Sequence, residues 1–374
     1  MAKPRPSARR SKRSSQQLRI RGRALSIGDR TLPLYSGAVH YWRLDRDAWE
    51  PSLKQVRDLG LSLVETYVPW GVHELGAGEL DFGERDPRKD VGAFLDLAKE
   101  LGLYAIVRPG PHINAELTFL GLPARIVYDS ACQARSPRQA PVILPFPPRM
   151  FPVPSHASRT FAEETGKWMD AVGAVVGPRL WPAGNVVMLQ VDNECSYYFR
   201  DAAYDQDYHP DARAEWRRFL EKRYGSLEKL ADAHHATYPS WEQVEPPVRF
   251  TAREPSELVL HLDWAAFKEE LITSFIAKLK RRMAKAGLKG VPTLHNLPLG
   301  DQGMAPSPPA LAEVVDLVGL DYYHARREHR AIKRRTAYLA GTFELPYAPE
   351  LGVGAPAWFT PLGHDDSLFT AMTA

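Results

Sequence analysis

The sequence predicts an α/β fold of the TIM (β/α)8-barrel type, and three observations predict it. Short apolar strands alternate with amphipathic helices along most of the 374 residues, the signature of a parallel sheet. The run from Val186 to Val191 is almost wholly apolar and β-branched, as a strand buried on both faces must be. No Gly-x-Gly-x-x-Gly follows a strand, which removes the main sign of an open dinucleotide-binding sheet. The length suits one decorated barrel, a class running from roughly 200 to over 400 residues.

Taken in order, Leu34 to Tyr41 reads as a first strand. Trp49, Leu53, Val56 and Leu59 recur at three- and four-residue spacing and predict a helix. Leu63 to Val68 is a second strand, ended by Pro69. A helix from Val91 to Leu101 stops at Gly102, and a third strand, Tyr104 to Val107, stops at Pro109-Gly110. Residues 124–155 are rich in Pro and Arg and predict a long active-site loop or mobile insertion. A helix from Phe161 to Val176 leads to the fourth strand at Val186. A helical insertion is expected over residues 203–256, including a helix from Ala212 to Tyr224 capped by Gly225. A long helix from Leu258 to Ala286, stopped by Gly287, leads to a fifth strand at Val291 to Leu297. A short helix around Pro309 precedes a sixth strand, Leu317 to Tyr322. A helix from His329 to Leu339 leads to a seventh strand, Leu345 to Leu351, and another helix begins at Asp366. A closed barrel needs eight strands. The eighth is expected beyond Ala374 or from another segment, and an unclosed wall exposes sheet edges open to self-association or to a partner that closes the barrel.

Composition narrows the function classes. Hydrophobic residues make up 44% and charged residues 25%, ordinary for a soluble globular domain. Nine Trp, fifteen Tyr and fourteen Phe suit a carbohydrate site, where flat rings stack on sugar faces. Net charge is +3, yet residues 1–23 carry nine basic residues and no acid. They read as a disordered basic tail, leaving residues 24–374 as the barrel domain. The tail lacks an apolar core, so it is not a secretory leader, and the barrel shows no basic patch with interleaved aromatics for nucleic acid. Cys132 and Cys195 lie in no metal-binding spacing and form no disulfide framework, which points to a reducing, cytoplasmic setting. No apolar run is long enough to span a bilayer.

In parallel barrels catalytic groups project from the C-terminal ends of strands. The fourth strand runs into Asp192-Asn193-Glu194 and the seventh into Pro349-Glu350. Two glutamates there face each other across the barrel mouth, the arrangement glycoside hydrolysis needs: one carboxyl protonated to assist the leaving oxygen, the other ionised to attack the anomeric carbon or activate water. Glu344 is a nearby rival to Glu350, but it precedes the strand. Asn193 is placed to hydrogen-bond a sugar 2-hydroxyl. His40, His73, His112, His295 and His324 lie near strand ends. No HExxH or paired spacing joins them, so they are read as hydroxyl partners, with no metal or other cofactor expected.

The segments Ser36-Gly37-Ala38-Val39-His40-Tyr41-Trp42-Arg43, Glu65-Thr66-Tyr67-Val68-Pro69-Trp70, Arg108-Pro109-Gly110-Pro111-His112-Ile113-Asn114-Ala115-Glu116 and Leu189-Gln190-Val191-Asp192-Asn193-Glu194 resemble the glycoside hydrolases of family 35, mainly β-galactosidases. The resemblance is dense from Leu34 to Glu194, loose between Ala203 and Gly290, and returns at Asp321-Tyr322-Tyr323 and Pro349-Glu350. It implies a (β/α)8 barrel, a retaining double displacement and a terminal β-galactoside as substrate. It also implies Glu194 as acid/base, Glu350 as nucleophile, Asn114 and Glu116 as holders of sugar hydroxyls, Tyr67 as a sugar contact, and Tyr323 as a residue touching the nucleophile side. His112 stands where the family often has Tyr, Leu117 where it has Trp-type residues, and Asp192 where it commonly has Glu. The family's eighth strand and β-rich C-terminal domains do not follow. The alternative expectation is a non-catalytic or remnant carbohydrate-binding protein.

Overall fold

A computed structural model of the chain describes residues 18–21, 24–144, 150–200, 202–298, 306–323, 329–343, 345 and 347–352. The fold opens with three antiparallel strands, β1 (Leu18–Arg21), β2 (Ala24–Ile27) and β3 (Arg30–Pro33). The predicted basic tail therefore ends in a strand: Leu18 pairs with Ile27 and Ile20 with Leu25. Apolar Leu18 and Ile20 alternate with Arg19, so one face is fit for burial. Gly28, at φ +59°, turns β2 into β3, a position at which a side chain is disfavoured. The Gly28-Asp29 dipeptide between alternating apolar residues was the sequence sign of this hairpin.

Next come β4 (Ser36–Ala38), helix α1 (Trp49–Asp58), β5 (Leu63–Tyr67), the one-turn helix α2 (Trp70–His73) and a small hairpin, β6 (Glu74–Gly76) and β7 (Glu79–Leu80). Helix α3 (Val91–Glu100) and strand β8 (Tyr104–Arg108) follow, then α4 (Ala124–Tyr128), α5 (Arg159–Val176) and β9 (Val186–Gln190). Helices α6 (Pro210–Tyr224), α7 (Leu227–His234) and α8 (Leu258–Lys285) lead to β10 (Thr293–Leu297), and α9 (Pro308–Ala312) leads to β11 (Leu317–Leu320) and α10 (His329–Thr342). Sequence features explain the ends. Asp90 caps α3 by accepting from Ala93 N at 2.8 Å, and Ser158 caps α5 by accepting from Phe161 N at 3.1 Å, contacts worth about 1 kcal/mol each. Gly225, at φ +77°, ends α6.

Six strands form one sheet in the order β11-β10-β9-β8-β5-β4. Every neighbouring pair is parallel, as strands joined by helices must be. Among the described residues the predicted seventh strand forms no ladder. It is an extended segment joined to the sheet by one parallel bridge, Tyr322 with Leu351, through Tyr322 N to Glu350 O (2.7 Å) and Gly352 N to Tyr322 O (2.8 Å). Pro349, within this segment, carries no N–H to donate. Glu344, His324 and the helix predicted from Asp366 lie outside the described residues.

Side chains alternate across each strand. Leu63, Ile106, Met188, Leu294 and Leu317 share the inner face near the strands' beginnings. They pack with Leu25, Ile27 and Leu32 of the opening meander and with Leu345 and Tyr347. The meander thus plugs the floor of the sheet. Val64, Ala105, Val107, Leu189 and Val318 join a second core against the helices. The stretch 124–155, expected to be a loop or mobile insertion, is packed where it is described. It begins with α4, folds back through the bridges Gln133–Pro154 and Ile143–Pro152, and buries Cys132, Val142, Phe151 and Val153. Among the described residues no helix is long and apolar enough to cross a membrane.

Candidate active site

Two residues beyond the apolar floor, the same inner faces turn polar. Leu63 gives way to Glu65 and then Tyr67, Ile106 to Arg108, Met188 to Gln190 and Leu294 to Asn296. Leu317 gives way to Gly319 and then Asp321. Tyr67 and Arg108 stand opposite one another in the ladder, and Arg108 lies over the Tyr67 ring at 4.2 Å. Gly319 is needed as such. A Cβ there would collide with Tyr347 O and the Pro349 ring, so its absence lets the segment carrying Glu350 approach the sheet.

That approach delivers Glu350 into a nest of donors. Its Oε1 accepts from Tyr67 Oη (2.5 Å), Arg108 Nη2 (2.5 Å) and Asn296 Nδ2 (3.2 Å), and its Oε2 accepts from the Tyr323 hydroxyl. Burial alone pushes this carboxyl up, but the Arg108 charge and the Tyr323 and Tyr67 hydroxyls outweigh it and hold it below its ordinary value. Glu350 is therefore ionised at neutral pH.

Glu194 follows β9 in a left-handed conformation, φ +47°, two residues after Asp192 at φ +58°. Non-glycine residues pay about 1–3 kcal/mol for such backbone. Here the turn is pinned by Glu194 N donating to Asn296 Oδ1 (3.0 Å) and by His112 N donating to Asp192 Oδ1 (2.8 Å). The Glu194 carboxyl is raised to about 7, first by burial and then by the charge of Glu350, while Asp321, Asn114 and Arg108 oppose the rise. Their surroundings thus push the two carboxyls in opposite directions, Glu194 toward the protonated form and Glu350 toward the ionised one.

Asn193 is fixed between them. Its Oδ1 meets Arg108 Nη2 (2.8 Å), Tyr67 Oη (3.0 Å), Asn296 Nδ2 (3.0 Å) and Gln190 Nε2 (3.1 Å). Arg108 can only donate, so the amide oxygen must face inward and Nδ2 must face away from this cluster. Asn114 reaches Glu194 Oε2 at 3.5 Å, and Tyr67 and Tyr323 both hold Glu350. Glu116 stands apart: it is exposed at the rim, with Arg43 at 3.9 Å. The two departures from the family pattern at His112 and Asp192 touch each other, His112 Nδ1 lying 3.0 Å from Asp192 Oδ2.

Sequence reasoning assigned no role to Arg108, Asn296 or Asp321, all buried here. It also missed a ring wall in which His40 stacks on Trp42 (5.5 Å) and tilts against Tyr67 (5.3 Å). Burial, then the charges of Arg43 and Arg108, lower His40 to about 4 against the pull of Glu350, so its imidazole is neutral. His40 Nδ1 and Trp42 Nε1 are buried without a partner among the described residues, leaving polar groups for a ligand hydroxyl. Among the described residues no group of three His, Cys, Asp or Glu side chains could hold a metal. A small cavity of about 20 Å³ lies beside the acid, lined by Asn114, His156, Glu194 and Phe199, room for about one water molecule.

Comparison with known proteins points to glycosyl hydrolases. Residues 24–140 match the model of glycosyl hydrolases family 35, and residues 152–346 match the β-galactosidase model of glycosyl hydrolase family 42. An exo-β-D-glucosaminidase of Pyrococcus horikoshii is 32% identical over 272 residues, covering 70% of this chain and 33% of that protein. The β-galactosidase of Homo sapiens is 34% identical over 190 residues, covering 50% of this chain and 23% of that protein. The solved β-galactosidase of Rahnella sp. R3 superposes with a TM-score of 0.61 at 17% identity, covering 88% of this chain and 46% of that one, a likeness of fold. This chain therefore spans a third or less of the length of these two curated relatives. The family-42 match begins at residue 152, inside the stretch where the family-35 motifs are dense, and runs on through the stretch where they thin out. The chain belongs to the β-galactosidase-like glycosyl hydrolases of families 35 and 42.

Proposed function

We propose that the chain hydrolyses terminal β-glycosides, β-galactosides first among them, by retaining double displacement. The observation that carries this reading is the pair of buried carboxyls at opposite strand ends, Glu194 raised and Glu350 lowered. Glu350 attacks the anomeric carbon as the bond to the aglycone oxygen breaks, and Glu194 gives that oxygen its proton. Glu194 then takes a proton from water, whose oxygen attacks the same carbon and releases Glu350. Tyr67, Arg108 and Tyr323 orient the nucleophile, and Asn193 is placed to meet the sugar 2-hydroxyl. Asn114 lies beside the acid, and Glu116 would reach a sugar only from the rim. The wall of His40, Trp42 and Tyr67 offers a flat surface to a sugar face.

A panel of nitrophenyl β-glycosides, with galactoside and glucosaminide compared directly, tests the activity and its preference. Glu350→Gly is expected to lose at least ~10³-fold in kcat, as loss of a covalent nucleophile does, and azide should restore turnover by occupying the vacated position. Full activity in Glu350→Gly would move the nucleophile elsewhere. Sugar binding without turnover by the unaltered chain would favour the remnant reading instead.

A further inference from the structure

We infer that Asn296 is a positioning residue for both halves of the proposed reaction: one fixed amide holds the turn of the proton donor, the asparagine placed to meet the sugar 2-hydroxyl, and one oxygen of the nucleophile. This rests on Glu194 and Glu350 acting as proposed. Asn296 is fully buried on β10, between β9, which leads to the acid, and β11. Its Oδ1 accepts from Glu194 N (3.0 Å) and Gln190 Nε2 (2.9 Å). Its Nδ2 faces Asp321 Oδ2 (2.7 Å), Asn193 Oδ1 (3.0 Å) and Glu350 Oε1 (3.2 Å). Two N–H bonds thus serve three acceptors, so at least one is shared.

The amide has one permitted orientation. A backbone N–H can only donate, and an ionised carboxylate can only accept. Turned by half, Asn296 would set its Nδ2 against the Glu194 N–H and its Oδ1 against the Glu350 carboxylate. Gln190 fixes the same sense, because its Nε2 also donates to Asp192 O at 2.8 Å, a carbonyl that can only accept. Each contact then has its own effect. Glu194 sits at φ +47°, and its buried N–H finds an acceptor in Asn296, which sets the carboxyl's point of departure from the neighbouring strand against the strain of that backbone. Asn193 Oδ1 is drawn inward by Asn296 together with Arg108 Nη2 at 2.8 Å, so Asn193 Nδ2 faces away from the cluster. Glu350 Oε1 receives Asn296 beside Tyr67 and Arg108, which favours its charged form. Loss of the amide therefore disturbs the aim of the proton, the contact with the 2-hydroxyl and the charge of the nucleophile separately. A side chain that only filled space would affect all three alike.

The test is Asn296→Leu, which keeps the volume and removes donor and acceptor together, with Asn296→Ala as a second variant should leucine not pack. Phenyl β-galactoside needs a proton on its leaving oxygen, whereas the dinitrophenyl galactoside departs unaided. Proton donation is worth about 10²–10⁴-fold, so kcat/KM should fall at least ~10-fold further on the phenyl than on the dinitrophenyl substrate. The preference for dinitrophenyl galactoside over its 2-deoxy analogue should shrink by ~10-fold, because Asn193 is free to turn. Carbon NMR of labelled glutamate carboxyls, assigned with Glu350→Gln, reads the nucleophile without substrate. Its titration midpoint should rise by about half a unit to one unit as one of its donors is lost. An unmoved Glu350 midpoint, or a kcat/KM loss equal on all three substrates, would reduce Asn296 to a packing residue and overturn the inference. If the unaltered chain turns over no glycoside, the proposed function fails, while the Glu350 midpoint still decides whether Asn296 holds that carboxyl.

Discussion

Replacing Glu194 by glutamine should make the protein more stable at pH 8 and much less so at pH 5. The buried carboxyl has its folded-state value raised from 4.5 to about 7. For a group raised in the folded state, stability is fully present below the unfolded value and is lost as pH rises through the folded one. Between these values the folded chain holds a proton that the unfolded chain has released. A rise of that size corresponds to roughly 3 kcal/mol at 1.36 kcal/mol per unit. At pH 8 the whole penalty is felt. At pH 5 the unfolded group is only partly ionised and less than roughly 1 kcal/mol remains. Glutamine fills nearly the same volume and cannot ionise, so its own packing cost is common to both pH values and cancels in the comparison. Urea unfolding of the unaltered chain and of Glu194→Gln at the two pH values reads the effect. The expected gain is roughly 2–3 kcal/mol larger at pH 8 than at pH 5. A gain equal at both values, or larger at pH 5, would refute the account of a carboxyl kept protonated by burial and by Glu350.

Arg108→Met should raise Glu350 by removing the guanidinium at 2.5 Å. Breaking a buried pair on one side costs about 3–5 kcal/mol, so kcat/KM should fall ~10²–10³-fold and the acidic limb of the pH–rate profile should move up; an unmoved acidic limb would show that Arg108 does not set the nucleophile's charge. Leu25→Ala, in the fully buried floor, should cost about 2–5 kcal/mol in urea unfolding, equally at pH 5 and pH 8, with turnover per folded molecule unchanged.

The parallel strands were legible because they are buried on both faces. A run such as Val186–Gln190 has no solvent side to interrupt it, and Pro or Gly marks the ends of several. The opening meander was hidden by its neighbours: Arg19 and Arg21 made Leu18 and Ile20 look like part of a basic tail, although alternation gave them an apolar face. The seventh strand is only partly seen: among the described residues one parallel bridge, Tyr322 with Leu351, joins it to the sheet.

Within the site, Glu194 and Glu350 could be read from strand ends, and the motifs pointed to Tyr67, Asn193 and Tyr323. Arg108, Asn296 and Asp321 could not be found that way. Their roles depend on which face of each strand turns inward and how high each residue stands above the floor. A single sequence does not display that layering until the strands are set side by side. Glu116 shows the converse: a residue inside a dense motif that the loop carries out to the rim, beside Arg43.

The meander under the sheet also bears on the order in which the molecule can be completed. Leu25 and Ile27 pack with Leu294, Leu317 and Leu345, which lie far along the chain from them. Contacts so distant along the chain are closed late and at a high entropic cost. Until those contacts close, the hairpin's apolar face stays unclaimed, a stage at which unpaired strand edges invite aggregation. Arg19, exposed on the hairpin's first strand, gives that waiting stage a charge to keep it in water.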